Sequence, residues 1–244
     1  QGSLGGIAWR PEPRRPLVDD QVEIAVAAAG LNFRDVMWAL GLLPEEALED
    51  GFAGATLGME CSGVITGVGP AVSRYKVGDR VITFAPACFS THVVVADKAL
   101  APLPSTVDLE AAATIPVTFL TAFYSLVELA RLEEGETVLI HGGAGGVGLA
   151  ALQIALWRGA RVIATAGTAD KRALLTMLGA HDVLDSRSLA FADEVLALTD
   201  GEGVDVVLNS LSGEAMERSI ECLKPFGRFV ELGKRDYYAN SRIA

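Results

Sequence analysis

Residues 138–148, Val-Leu-Ile-His-Gly-Gly-Ala-Gly-Gly-Val-Gly, constrain the fold more than any other stretch of this chain. A short apolar strand, Val138–Ile140, runs straight into glycines spaced G-x-G-x-x-G at Gly143, Gly145 and Gly148, and the apolar-faced helix Leu149–Trp157 follows. Strand, glycine turn and helix in that order form a cradle for the pyrophosphate of a dinucleotide. The first glycine makes the tight turn, the second lets backbone amides approach the anion, and the third lets the helix pack closely on the strand. Gly146 and Val147 lie inside the motif at the helix N-terminus, where unpaired N–H groups and the positive dipole end face the anion.

The pattern around this motif repeats it. After Thr114 the chain reads as a helix at about Phe119–Leu129, strand 138–141, helix 147–158, strand Arg161–Ala166, helix Ala169–Leu178, short strand Asp182–Leu184, helix Phe191–Thr199, strand Asp205–Asn209, helix Ala215–Leu223 and strand Gly227–Leu232. Strand and helix alternating at this period predict parallel βαβ units and an open, doubly wound sheet. The preceding part differs. Strand candidates Val22–Ala28, Ser62–Val68, Arg80–Phe84 and Thr91–Ala96 are short, with turn signals at Gly67–Pro70 and Val77–Asp79, which suggests a compact β-barrel-like unit. The expected fold class is therefore α/β, a barrel-like domain over 1–115 followed by a dinucleotide-binding domain over 116–244. Five strands of the second domain are visible where the complete fold has six, so the fold is expected to continue beyond Ala244. The start, Gln1-Gly2-Ser3-Leu4, likewise reads as a segment cut from something longer.

Composition narrows the partners. A net charge of −11 argues against phosphate-backbone binding along a nucleic acid. No apolar run reaches about 18 residues without a break, so no membrane span is expected. The three cysteines, Cys61, Cys88 and Cys222, have neither the even count of a disulfide framework nor C-x-x-C spacing, and a reducing, cytoplasmic setting is the default. His92, His141 and His181 are scattered singly and are expected to be packed or surface residues.

Four stretches carry a more specific likeness: Ala29-Gly-Leu-Asn-Phe-Arg-Asp-Val36, the glycine motif of 138–148, Gly203-Val-Asp-Val-Val-Leu-Asn-Ser-Leu211 and Gly227-Arg-Phe-Val-Glu-Leu-Gly-Lys-Arg-Asp236. In this order, behind a barrel-like domain, they resemble the enoyl reductase domain of type I polyketide synthases and animal-type fatty acid synthases, zinc-free members of the medium-chain dehydrogenase/reductase superfamily. The resemblance implies a GroES-like substrate domain and a Rossmann domain. It also implies NADPH-dependent reduction of an α,β-unsaturated acyl thioester on an acyl carrier protein, with neighbouring synthase domains in the same polypeptide. A homodimer stays open. Two alternatives stand beside this reading: a free-standing NADPH:quinone reductase of the same superfamily, and an inactive cofactor-binding fragment.

Zinc alcohol dehydrogenases of the superfamily place a His before a Glu where this chain has Met59-Glu60, and they carry a four-cysteine lobe that is absent here. No metal site is expected. Cofactor choice is read after the second strand of the dinucleotide fold, where an NAD enzyme places an acid about 20 positions beyond the glycine motif. This chain offers Thr165-Ala-Gly-Thr-Ala-Asp-Lys-Arg172, with small residues at the strand end and Lys171 to meet a 2′-phosphate. Arg187 matches a second family position for that phosphate. Asp170 works against the reading, and Lys171 with Arg172 can equally be a solvated first-turn pair. By resemblance Asn32 and Thr121 lie near the nicotinamide. Asn209 and Ser210 end a strand at the edge where open α/β sheets bind ligands, though either can simply cap the next helix. Lys234, after Gly233, is the proposed catalytic proton donor of the family, where a cation can stabilise a developing enolate. Many polyketide members carry a tyrosine donor where this chain has Leu43, so the phenol is not supplied from there.

Overall fold

Alternate residues of Gln21–Ala29, beginning Gln-Val-Glu-Ile, send Val22 and Ile24 into a fully buried cluster, as a half-buried strand requires. This strand, β1, sits inside a five-stranded antiparallel sheet with β2 (Glu60–Val68), β3 (Arg80–Phe84), β4 (His92–Ala96) and β5 (Leu100–Pro102), in the order β4-β1-β2-β3-β5. The computed structural model describes residues 4–43 and 52–233 of the chain. Val22, Ile24, Cys61, Ile65, Val81, Val93 and Val95 form the core of this first unit, and the buried Tyr75 hydroxyl donates to the Leu100 carbonyl at 2.8 Å. Two short helices belong to the same unit, α1 (Phe33–Ala39) and α2 (Leu109–Ala112). Neither helix was expected from periodicity, because seven and four residues are too short for an amphipathic stripe to declare itself.

The chain divides into two compact units, Gln1–Val117 and Thr118–Ala244. In the second, β6 (Thr137–Ile140), β7 (Arg161–Ala166), β8 (Asp182–Asp185), β9 (Val204–Asn209) and β10 (Leu223–Glu231) form one parallel sheet in the order β10-β9-β6-β7-β8. Numbered within the unit this is 3-2-1-4-5 read from the other edge, the doubly wound order, with its switch point between β6 and β9. Alternate strand residues face opposite layers. Val138, Ile140, Val162, Ala164, Val206 and Leu208 pack with α4 (Gly146–Trp157) and α5 (Ala169–Met177). Leu139, Ile163 and Val207 pack with Phe191 and Val195 of α6 (Phe191–Leu198) and with Cys222 after α7 (Glu214–Glu221). Full burial of such side chains contributes about 1.5–3 kcal/mol each, which is why these strands read as nearly continuous apolar runs.

Two elements depart from the sequence expectation. The helix expected at Phe119–Leu129 is an α-helix, α3, only over Pro116–Phe123, and continues as a π-type turn over Tyr124–Leu129, with the Ala130 N–H reaching back to the Ser125 carbonyl at 2.9 Å. Strand β10 begins at Leu223 rather than Gly227. Leu223 pairs once with Val204, the chain then bulges through Lys224–Gly227, and pairing resumes at Arg228 opposite Val206. Pro225 cannot donate to a ladder, and Phe226 takes φ +66° with its side chain fully exposed. No helix among the described residues is long and apolar enough to cross a membrane.

Candidate functional site

The turn after β6 is built almost entirely from backbone. Gly142 adopts φ +62°, a conformation that a side chain rarely takes, so the left-handed residue is the glycine before the motif and not its first member, Gly143. Gly143 is needed for space: a Cβ there would stand 3.0 Å from Leu175 Cδ1 and 3.1 Å from Ala164 Cβ, and its N–H donates to the Thr165 carbonyl at 2.9 Å. Gly145 is the N-cap of α4, with no side chain capping the helix, and its own N–H donates to the Gly142 carbonyl at 2.8 Å. A Cβ at Gly146 would meet Thr118 Cγ2 at 2.9 Å, and one at Gly148 would overlap the Gly142 carbonyl and lie 2.6 Å from Gly143 Cα. Val147 is half-buried between them. An exposed glycine turn and a helix N-terminus with no side-chain cap suit the pyrophosphate of a dinucleotide.

His141, the last residue before the turn, is buried. Its Nδ1 lies 3.0 Å from Thr165 Oγ1 and its Nε2 2.9 Å from Ser219 Oγ, and its ring meets Phe191 edge-on at 4.9 Å between centroids. Burial lowers its pKa to about 4, so the imidazole is neutral.

At the carboxyl end of β7 several charged groups gather. A Cβ at Gly167 would lie 3.1 Å from Arg187 Nε, so the exposed Arg187 lies along the strand end. Thr168 caps α5, accepting from the Lys171 N–H at 3.4 Å, while the Lys171 side chain and Asp170 are exposed in its first turn. Arg172 is not part of a solvated pair: its guanidinium donates to the Ala166 carbonyl at 3.1 Å and stands 3.2 Å from Asp185 Oδ2.

At the end of β9 Asn209 is held by its own chain. Its side chain is fully buried, donating to the Leu211 carbonyl at 2.8 Å and to Glu231 Oε2 at 2.6 Å and accepting from the Leu211 N–H at 3.2 Å. With the amide committed in this way, Asn209 shapes the loop after β9. Its neighbour Ser210 is exposed, and its hydroxyl lies 3.3 Å from where a Cβ on Gly142 would be. Thr121 is half-buried on α3. Lys234 lies outside the described residues.

The first unit contains a buried acidic cluster that spacing did not single out. Glu60 Oε1 accepts from Asn32 Nδ2 at 2.8 Å, and Oε2 accepts from the Val117 N–H at 2.8 Å, in the first turn of α3. Asp35 Oδ2 accepts from the Asn32 N–H at 3.0 Å and Oδ1 from the Gly58 N–H at 2.8 Å, fixing α1 against the chain before β2. Burial holds the Glu60 carboxyl above its usual range, against the pull of the Val117 and Asn32 hydrogen bonds. The signal for this cluster was Asn32-x-x-Asp35, half of a capping box. Cys61 and Cys88, far apart in sequence, are neighbours here, and the Cys61 thiol is pushed up by its hydrogen bond to Cys88 and by burial. Among the described residues no group of three His, Cys, Asp or Glu side chains is placed to hold a metal ion.

A doubly wound sheet with a glycine turn at its switch point, in a chain that also carries an antiparallel unit, is an arrangement that dinucleotide-binding folds share. Residues 18–105 match the alcohol dehydrogenase GroES-like domain family and residues 146–241 the zinc-binding dehydrogenase family. A component of the phenolphthiocerol/phthiocerol polyketide synthase of Mycobacterium tuberculosis is 51% identical over 226 residues, which is 92% of this chain and 10% of that protein. Among solved structures, the CurK enoyl reductase superposes with a TM-score of 0.92 at 45% identity, over 96% of this chain and 72% of that one. The Escherichia coli quinone oxidoreductase complexed with NADPH gives 0.78 at 31%, over 91% and 68%. The chain belongs to the enoyl reductase domains of polyketide synthases, within the medium-chain dehydrogenase/reductase superfamily. It spans about a tenth of the length of the curated synthase it matches.

Proposed function

We propose that this chain reduces the C=C bond of an α,β-unsaturated acyl thioester, presented on an acyl carrier protein by neighbouring domains of a larger synthase, with NADPH as reductant. The observation that carries the reading is the agreement with an enoyl reductase over 96% of the chain, better in both identity and superposition than the quinone oxidoreductase. Bound NADPH supplies a hydride for the β-carbon. The chain's own residues hold and orient: Gly142, Gly145, Gly146, Val147 and Gly148 offer backbone to the pyrophosphate, and Lys171 and Arg187 offer charge to the 2′-phosphate. Asn32, Thr121 and Ser210 are the proposed side-chain contacts toward the nicotinamide end. Lys234 is the proposed group that stabilises negative charge on the thioester oxygen and returns a proton to the α-carbon, a task that Leu43 leaves open by lacking a phenol. The cytoplasm is the proposed compartment, in keeping with three free, buried cysteines.

The test is turnover of a crotonyl thioester with NADPH and with NADH, beside menadione. Crotonyl reduction with NADPH supports the proposal. Menadione reduction without crotonyl reduction assigns the chain to the quinone reductases, and cofactor binding with neither turnover makes it an inactive module. Lys234→Ala is expected to lower crotonyl turnover by about 10²–10⁴-fold and leave NADPH affinity unchanged.

A further inference from the structure

The second strand of the sheet, β7, ends on Ala166, with Gly167 next, and carries no acid of its own, which is why the sequence reads as open to a phosphate. The sheet register changes that picture. Asp185, at the end of β8, is the direct partner of Ala166, so a carboxylate stands beside the strand end after all, brought from the next strand. An acid at the end of the second strand is what an NAD site uses to hold ribose hydroxyls and to repel a 2′-phosphate. Here the acid is answered. Arg172 Nη1 stands 3.2 Å from Asp185 Oδ2 and also donates to the Ala166 carbonyl, while Asp185 Oδ1 accepts the Arg187 N–H at 2.9 Å. With Asp185 45% exposed and Arg172 29%, the pair adds little stability. Its effect is on charge beside Gly167, over which Arg187 Nε lies.

We propose that Arg172 is a specificity-determining residue: by neutralising Asp185 it lets this strand end accept a 2′-phosphate, and without it the site carries the charge pattern of an NAD site. This rests on the NADPH reading given above. Arg172 acts through Asp185 and not by touching the phosphate, which separates its role from those proposed for Lys171 and Arg187.

The experiment is fluorescence titration of NADPH and NADH on the full chain and three variants, read as the ratio of the two dissociation constants. Arg172→Met is expected to lower the preference for NADPH about tenfold, the effect of one uncompensated charge at short range. Arg172→Lys, which keeps the charge, retains the wild-type ratio. Adding Asp185→Asn to Arg172→Met restores the ratio to within about twofold of wild type, because the asparagine oxygen still accepts from Arg187 while the charge is gone. Wild-type preference in Arg172→Met overturns the proposal, and so does a double variant as poor as Arg172→Met alone, which would place Arg172 on the phosphate itself. Equal affinity of the wild type for both cofactors overturns the NADPH reading and the proposal with it. A wild type that prefers NADPH, with the ratio unmoved in every variant, overturns the proposal alone.

Discussion

His141 Nδ1 and Thr165 Oγ1 face each other at 3.0 Å beneath the glycine turn, and the same Thr165 accepts the Gly143 N–H through its carbonyl. The Ser219 hydroxyl donates to the Ala215 carbonyl at 2.6 Å, so the His141 Nε2 carries the proton shared with Ser219 and Nδ1 accepts from Thr165. One neutral tautomer therefore satisfies three elements, β6, β7 and α7.

Protonation of His141 should destabilise the fold. The unfolded chain takes up this proton below about pH 6.5, whereas the folded chain does so only near pH 4. Between those values the unfolded state binds more protons, and stability falls as pH falls, by about 3 kcal/mol in all. Urea denaturation of the wild type and His141→Gln from pH 7 to pH 4.5 checks this: the wild type should lose more stability than the variant over that range, and parallel curves would show that His141 is not the titrating group.

Gly148→Ala should be among the most damaging single-methyl changes in the chain. The added Cβ falls against the backbone of Gly142 and Gly143, which cannot move aside as a flexible side chain would. A loss of about 2–4 kcal/mol is expected, together with NADPH affinity. Gly142→Ala meets only Ser210 Oγ at 3.3 Å and is opposed mainly by its φ of +62°, about 1–2 kcal/mol. Thermal unfolding of the two variants should rank them in that order.

Replacing Glu60 by Gln should cost about 1–3 kcal/mol despite the matched shape. Both of its partners, Asn32 Nδ2 and the Val117 N–H, are donors at 2.8 Å, and a glutamine offers one oxygen and turns an NH2 toward the other. Chemical denaturation measures the loss; an unchanged midpoint would mean that the carboxylate is already protonated in the folded chain.

Arg228→Met should destabilise without touching cofactor binding. The guanidinium donates to the Ala130 carbonyl at 2.8 Å, the Asp205 carbonyl at 3.2 Å and Glu136 Oε2 at 2.5 Å, all at the edge where the parallel strands begin. Loss of these charge-assisted bonds is expected to cost about 2–4 kcal/mol, with the NADPH dissociation constant unchanged at temperatures where the variant is folded.

The alternation of strands and helices after Thr114 was legible because each strand is buried on both faces and each helix on one, so period and apolarity speak together. Short pieces were not: α1 and β5 hold too few residues to show a period, and only the Asn32-x-x-Asp35 spacing could have marked the start of α1. The glycine motif placed the turn but not its left-handed residue, since G-x-G-x-x-G says nothing of Gly142. What sequence order hides entirely is register and long-range pairing. Asp185 stands beside Ala166 because β8 pairs with β7, and the Asn209 amide is used up by Glu231, a residue on the neighbouring strand.

The two ends of the parallel sheet carry different kinds of chemistry. Where the strands begin, side chains bind one another: Arg161 with Asp182 at 2.9 Å, Lys224 with Asp205 at 3.1 Å, and Arg228 with Glu136. Where they end, exposed glycine backbone after β6 and the exposed side chains of Lys171 and Arg187 accompany the Arg172–Asp185 pair. Substitutions at opposite ends share no partners, so their effects should add, and the length of four to six residues that separates them in each of β6 to β9 insulates one from the other. Changes among the exposed charges at the carboxyl ends, such as Lys171 and Arg187, are therefore expected to leave melting behaviour fixed, and changes to the ion pairs at the opposite ends to leave ligand preference untouched, whereas the tightly packed Gly148 lies outside this freedom.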